Sequence, residues 1–288
     1  KAYYSFDETP IVNQYNEYQR ATLHKEGSNS VPTLQTDGAR KGKVLHTNFG
    51  ANGNTSHAKF INPLYKDALE NGATIAFWVK VPDENLWDAL FAFYNTQNGS
   101  RLYMTGNTYV GYNSMTNNNN SITWIDLNHP NGFSSGNINF GSWNFITLTI
   151  SATDGIKLYV DGNYRPFQRC SGSVNSNAIS GESGFDYNYI INHIRDCSNF
   201  YLGYGSFWGS TNASYDELLF YNRVLAENEV KALYQAETVN DFTTTGILEI
   251  EQDKQSVDNK IYDLQGRPVA NPTSKGMYIK NGSKYIVK

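Results

Sequence analysis

Apolar residues in this chain alternate with polar ones far more often than they recur at every third or fourth position. In residues 144–150, Ile146, Leu148 and Ile150 fall on one side and Thr147 and Thr149 on the other. This is the period of a strand with one buried and one open face. Ile156, Leu158 and Val160 repeat the pattern, and the Asp161-Gly162 dipeptide closes a hairpin. Residues 74–81 and 89–94 read as further strands, and 101–105 with 109–112 as a hairpin around Gly106-Asn107. One helix is predicted over 227–236, where Val230, Leu233 and Tyr234 make a single apolar stripe. Many short strands without βαβ alternation predict an all-β chain, a sandwich or a barrel.

A polar stretch with three consecutive threonines, residues 237–245, reads as a linker. It divides a large all-β domain over residues 1–236 from a small β-rich module over 246–288. In that module two strands flank Asn281-Gly282, a strong hairpin signal. A unit so small is marginal by itself.

Composition narrows the function classes. The net charge is −4 and no basic stripe is present, which argues against nucleic acid as a partner. No apolar run is long enough to span a membrane as a helix. Cys170 and Cys197 are the two cysteines. Paired in an oxidising compartment, they would stabilise the chain by roughly 3–4 kcal/mol through loop closure; two buried free thiols are the alternative.

Five segments in order resemble the laminin G-like jelly-roll family of the concanavalin A-like superfamily. They are Tyr4-Ser-Phe-Asp7, residues 74–81, 143–150, Leu158-Tyr-Val-Asp-Gly162 and, above all, Tyr215-Asp-Glu-Leu-Leu-Phe-Tyr-Asn-Arg-Val-Leu225 running into the helix. That resemblance implies an antiparallel two-sheet jelly-roll sandwich over residues 1–236. The chain departs from that pattern by insertions at 13–43 and 169–199, and by Ala226 where a helix-capping hydroxyl is usual. The tail, Ile261-Tyr-Asp-Leu-Gln-Gly-Arg-Pro-Val269 with Lys275-Gly-Met-Tyr-Ile279, is similar to the C-terminal sorting modules of Bacteroidetes surface proteins. The resemblance implies a secreted or cell-surface protein associated with the outer membrane.

Glycoside hydrolases of this superfamily carry two carboxyl groups roughly 5 to 10 Å apart. The one Glu-x-Glu, Glu249-Ile-Glu251, falls outside the sandwich strands, and adjacent Asp216 and Glu217 point to opposite faces. There is no zinc-type spacing and no Gly-x-Ser-x-Gly elbow. The expectation is a non-catalytic module that binds carbohydrate or another cell-surface ligand. A protein-binding adhesion module and a hydrolase with an atypical acid pair are the rivals. Candidate ligand-binding aromatics are Trp87, Trp124, Tyr187, Tyr189, Phe207 and Trp208; Trp78 and Trp143 are expected in the core and His57 in a polar loop. Asp216 is expected on the same face as Leu218 and Phe220. The resemblance implies that it shares a structural calcium ion with Asp7.

Overall fold

The computed structural model describes residues 1–51, 53–82, 88–106, 108–115, 122–128, 138–165, 171–174, 177–180, 186–204, 209–236, 261–262, 268–270, 272, 276–280 and 283–287. The chain divides into two compact units, Lys1–Val239 and Asn240–Lys288.

With strands numbered along the chain, the first unit has an eight-stranded sheet. It consists of β1 (Ala2–Tyr4), β4 (Thr33–Gln35), β5 (Val44–Thr47), β7 (Gly72–Lys80), β12 (Trp143–Ser151), β13 (Gly155–Val160), β14 (Asn163–Arg165) and β18 (Ala213–Tyr221). The second sheet has ten strands: β2 (Val12–Asn13), β3 (Asn16–Lys25), β6 (Ser56–Ile61), β8 (Ala89–Tyr94), β9 (Arg101–Thr105), β10 (Val110–Met115), β11 (Ile122–Asn128), β15 (Ser171–Val174), β16 (Asn177–Ser180) and β17 (Asn199–Leu202). Their orders are β14-β13-β12-β7-β18-β5-β4, with β1 also on β18, and β16-β15-β11-β10-β9-β8-β17-β6-β3-β2. Strand β1 lies against the last sandwich strand, Tyr3 opposite Leu219, so the chain start and the closing strand are neighbours in the jelly roll.

The core lies between the sheets and is rich in rings. Phe91, Phe93 and Phe200 from the ten-stranded sheet meet Phe77, Tyr215 and Phe220 from the other. Ile146, Leu148 and Ile150 of β12 point into it as the alternation predicts. The threonine face of β12 is not open, however: Thr147 and Thr149 are buried as well. The segment leading from β18 into helix α2 (Glu227–Gln235) crosses this side of the sheet. Thr74 Oγ1 donates to the Arg223 carbonyl and accepts the Leu225 N–H, fixing that crossing. At Ala226 the missing cap hydroxyl is offset by Glu229, whose carboxylate accepts the Ala226 N–H at 2.8 Å and a forked pair from Arg223. The β13–β14 hairpin turns at Asp161 and Gly162, both with positive φ, the conformation that explains an Asp-Gly pair.

Trp78 and Trp143 are not core residues. Phe77 and Val79 take the inward positions of β7, which puts Trp78 on the outer face. There it packs on Phe145 and on Tyr234 of α2, with ring centroids 5.1 and 5.7 Å away.

A second helix, α1 (Asn188–Asp196), rises from the 169–199 insertion. Ile190, Ile191 and Ile194 anchor it in the core. Buried Asn62 caps its end, the Nδ2 group donating to the carbonyls of Ile194 at 2.7 Å and Cys197 at 2.6 Å. These are carbonyls that a helix terminus leaves without partners. Asn62→Ala is therefore expected to cost about 2 kcal/mol and to speed hydrogen exchange in α1. Unchanged exchange there would show that the cap does not hold the helix.

The second unit contains a four-stranded sheet in the order β20 (Pro268–Val269), β19 (Ile261–Tyr262), β21 (Gly276–Lys280), β22 (Ser283–Val287). Strands β21 and β22 pair across the predicted Asn-Gly position. No helix among the described residues is long and apolar enough to cross a membrane.

Candidate functional site

Strand parity sorts the ten-stranded sheet into two faces. Ala58, Phe60, Phe91, Phe93, Leu102, Met104, Phe200 and Leu202 point into the sandwich. The intervening residues therefore share the opposite face: His57 and Lys59 from β6, Tyr201 from β17, Ala92 and Tyr94 from β8, Arg101 and Tyr103 from β9. His24 of β3 continues this face, opposite His57 in register. Lys59, Tyr201, Ala92, Tyr103 and Gly111 then form one row across five neighbouring strands. Glycine at 111 has a steric cause. A Cβ there would lie 2.4 Å from the Tyr103 hydroxyl and 2.5 Å from its Cζ, so the tyrosine ring lies across the bare backbone.

Aromatic rings gather on this face. Tyr204 stacks on His57 with centroids 4.6 Å apart, and His57 stacks on exposed His24 at 5.5 Å. Tyr201 stands 5.4 Å from Tyr204 and 6.1 Å from Tyr94. Two cations border the rings: Lys59 Nζ lies 6.0 Å from the Tyr201 centroid and Arg101 Cζ 5.8 Å from that of Tyr94. The floor is buried at His57, Ala92, Arg101, Tyr103 and Tyr201, while Tyr94, Tyr204 and Lys59 are half-buried. His57 is not in a loop, as its polar neighbours suggested, but inside β6.

The proton on His57 follows from its neighbours. Thr55 Oγ1 donates its hydrogen to Glu26 Oε2 at 2.8 Å, so its contact with His57 Nδ1 at 3.1 Å requires the imidazole to donate. Burial first, then His24 and Lys59, lowers the His57 pKa to about 4. At neutral pH the ring is uncharged, with Nδ1–H engaged and Nε2 an acceptor. The face thus offers flat aromatic surface, a neutral acceptor and one accessible cationic donor, Lys59, with Arg101 buried beneath it.

The predicted aromatics scatter. Trp87, Phe207 and Trp208 lie outside the described residues. Trp124 belongs to β11 of the ten-stranded sheet. Tyr187 packs on the edge of the core and over Gly155. Tyr189 stands on α1, 41% exposed. Sequence reading missed Tyr94, Tyr201, Tyr204 and His57. The alternation of His57 and Lys59 with Ala58 and Phe60 was the signal that could have found part of the outward set, whereas residues 89–94 are apolar throughout and carried none. Cys197 is buried, its thiol donating to the Asn199 carbonyl at 3.2 Å, with burial pushing its pKa up to about 11; Cys170 lies outside the described residues.

Asp7 and Asp216 do approach each other, but not on an apolar face. The register between β18 and β7 shifts between Asp216 and Leu219, and Glu217 has a φ of 54°. This is a bulge, which inserts one extra residue and reverses strand parity. Tyr215, Leu218 and Phe220 point inward, whereas Asp216 faces outward beside Trp78. Its Oδ2 accepts from Arg40 Nε at 2.8 Å, and the guanidinium lies 4.5 Å from the Trp78 ring centroid. Burial nevertheless raises the Asp216 pKa to about 7, opposed by Arg40 and reinforced by Glu217 and Asp7. Asp7 Oδ1 accepts the Lys43 N–H at 3.0 Å. Among the described residues no three His, Cys, Asp or Glu side chains group as metal ligands. Calcium does not fit this arrangement as it stands, because a guanidinium already supplies the counter-charge.

The comparisons with known proteins agree with this architecture. Domain 4 of AbnA, a GH43 extracellular arabinanase from Geobacillus stearothermophilus solved with arabinotriose, is 17% identical, covers 81% of this chain and 97% of its own, and superposes with a TM-score of 0.52. A structure of botulinum neurotoxin type C, whose cell entry depends on interaction with two ganglioside molecules, is 12% identical with a TM-score of 0.51, over 83% of this chain and 51% of the toxin chain. At such identities the likeness is one of fold. No curated protein matches the chain. Residues 52–231, well over half of the sequence, match the family described as the concanavalin A-like lectin/glucanases superfamily, and the chain belongs to that superfamily.

Proposed function

We propose that this protein is a non-catalytic carbohydrate-binding module of an exported protein and that it takes a neutral oligosaccharide along the open face of the ten-stranded sheet. The observation that carries this reading is the group of rings at Tyr94, Tyr201, Tyr204 and His57. Flat aromatic surface matches the C–H faces of sugar rings, and the few polar groups around it fix orientation through hydroxyls. The neutral His57 Nε2 accepts a hydroxyl hydrogen, while Lys59 donates. A shared fold with an arabinotriose-bound domain supports the same ligand class. The C-terminal unit serves as the sorting module, in keeping with its tail motif.

The test is a binding screen of neutral and charged oligosaccharides against the full chain and a Tyr94→Ala/Tyr204→Ala double variant. Both positions are half-buried, so the variant keeps its fold. Saturable binding of a neutral oligosaccharide, weakened at least about tenfold in the variant (roughly 1.4 kcal/mol), is expected. Binding of protein partners alone would favour an adhesion module, and release of reducing ends would favour a hydrolase.

A further inference from the structure

A second pocket stands apart from the open face, where α1 meets the β8–β9 turn. It is an open depression of about 240 Å³, lined in part by Asn95, Asn98, Ser100, Tyr189, Asn192 and His193, with Asp196 at its margin already paired to Lys66 and Arg195. That volume is below the roughly 300–1,000 Å³ common for drug-sized ligands, which suits a molecule the size of one sugar ring.

His193 gives the pocket its chemical demand. The residue is only 8% exposed. Its Nε2 is 2.9 Å from the Phe93 carbonyl, an acceptor only, so Nε2 carries the proton. Burial lowers the His193 pKa to about 4, which keeps the ring neutral and Nδ1 unprotonated. The nearest polar atom to Nδ1 in these contacts is Ser100 Oγ at 3.4 Å, but that hydroxyl sends its single hydrogen to Asn98 Oδ1 at 2.6 Å. A lone pair therefore faces a lone pair in a buried wall, an arrangement that is costly until a donor arrives.

The surrounding groups define that donor. Asn98 Oδ1 accepts the Ser100 N–H and hydroxyl, and Asn95 Oδ1 accepts the Gln97 N–H. Their oxygens are spent inside the turn, which leaves their NH2 groups for a ligand. Asn192 adds an exposed amide and Tyr189 an exposed ring. A ligand that donates to one buried nitrogen, accepts from several amides and lies against a tyrosine is a neutral polyhydroxylated ring. We infer that this pocket is a second carbohydrate site, taking a single uncharged sugar ring as a free monosaccharide or as the end of a chain. The inference stands on the α1 insertion and does not depend on the open-face reading.

The experiment is a titration of the full chain with neutral aldohexoses and aldopentoses, read by ligand-observed NMR. Wild type, Tyr189→Ala, Asn192→Ala and the open-face variant Tyr204→Ala are compared. One monosaccharide is expected to bind saturably with a Kd of the order of millimolar, as the size of such a ligand allows. Tyr189→Ala and Asn192→Ala are each expected to weaken it at least about fivefold, and Tyr204→Ala to leave it unchanged. Both pocket substitutions lie on exposed positions, so intact melting curves keep the comparison valid. No saturable binding by wild type, or binding untouched by both pocket variants, overturns the second site. Loss in Tyr204→Ala alone also overturns it, while leaving the open-face proposal standing.

Discussion

Arg40→Ala is expected to destabilise the sandwich by about 1.4 kcal/mol more at pH 8 than at pH 5. Arg40 is the cation on a carboxylate that is only 1% exposed. Asp216 has a folded pKa of about 7, against about 3.9 in an unfolded chain. A carboxyl group raised in this way contributes stability below the unfolded value and loses it as pH rises through the folded one. In the wild type this loss runs from about pH 4 to pH 7 and is limited by Arg40. Without the guanidinium the carboxyl pKa rises further, so at pH 8 the folded chain must hold a proton that the unfolded chain releases, whereas at pH 5 the carboxyl is already neutral in both proteins. Urea denaturation at the two pH values measures the difference; an equal loss at both would mean that Arg40 acts through its packing on Trp78 instead. The same protein tests the calcium expectation. An ion bound only by the folded state would raise the melting temperature with its concentration, and with Arg40 in place no such rise is expected.

Phe200→Ala is expected to cost about 3–5 kcal/mol, the range for deleting a fully buried ring. Phe200 bridges the two sheets. Its centroid lies 4.9 Å from Phe93 and 5.5 Å from Phe91 within its own sheet, and 4.9 Å edge-on from Phe220 across the core. Phe200→Leu restores much of the volume and should recover more than half of the loss. A cost below about 1 kcal/mol for alanine would mean that the surrounding rings collapse into the space and that the core is not organised around this residue.

The sandwich was legible because its signal is periodic. Residues 144–150 alternate on a pleat that the structure reproduces, and the closing motif 215–225 forms β18 beside β1. What stayed hidden depends on single insertions and on distant partners. The bulge at Glu217 moves Asp216 to the other face, and nothing in Asp-Glu-Leu-Leu marks where an extra residue enters. Arg40 was unreadable as its partner because a loop far along the chain delivers it. Helix α1 carries Ile190, Ile191 and Ile194 at helical spacing, but it is only nine residues long and its end is capped by Asn62, which follows β6 far along the chain from it. The site was hidden for a related reason. Tryptophans in loops drew attention as platforms, while Tyr94, Tyr201 and Tyr204 come together only when β8 and β17 pair. An outward tyrosine on a strand reads as ordinary until its neighbours are known.

The central claim is that a neutral oligosaccharide lies on the open face of the ten-stranded sheet. A crystal structure of the protein with the best-binding neutral oligosaccharide tests it most directly. The account predicts sugar rings over Tyr94, Tyr201 and Tyr204, with a hydroxyl at His57 Nε2. An oligosaccharide bound only on the outer face of the eight-stranded sheet, with those tyrosines untouched, would contradict it.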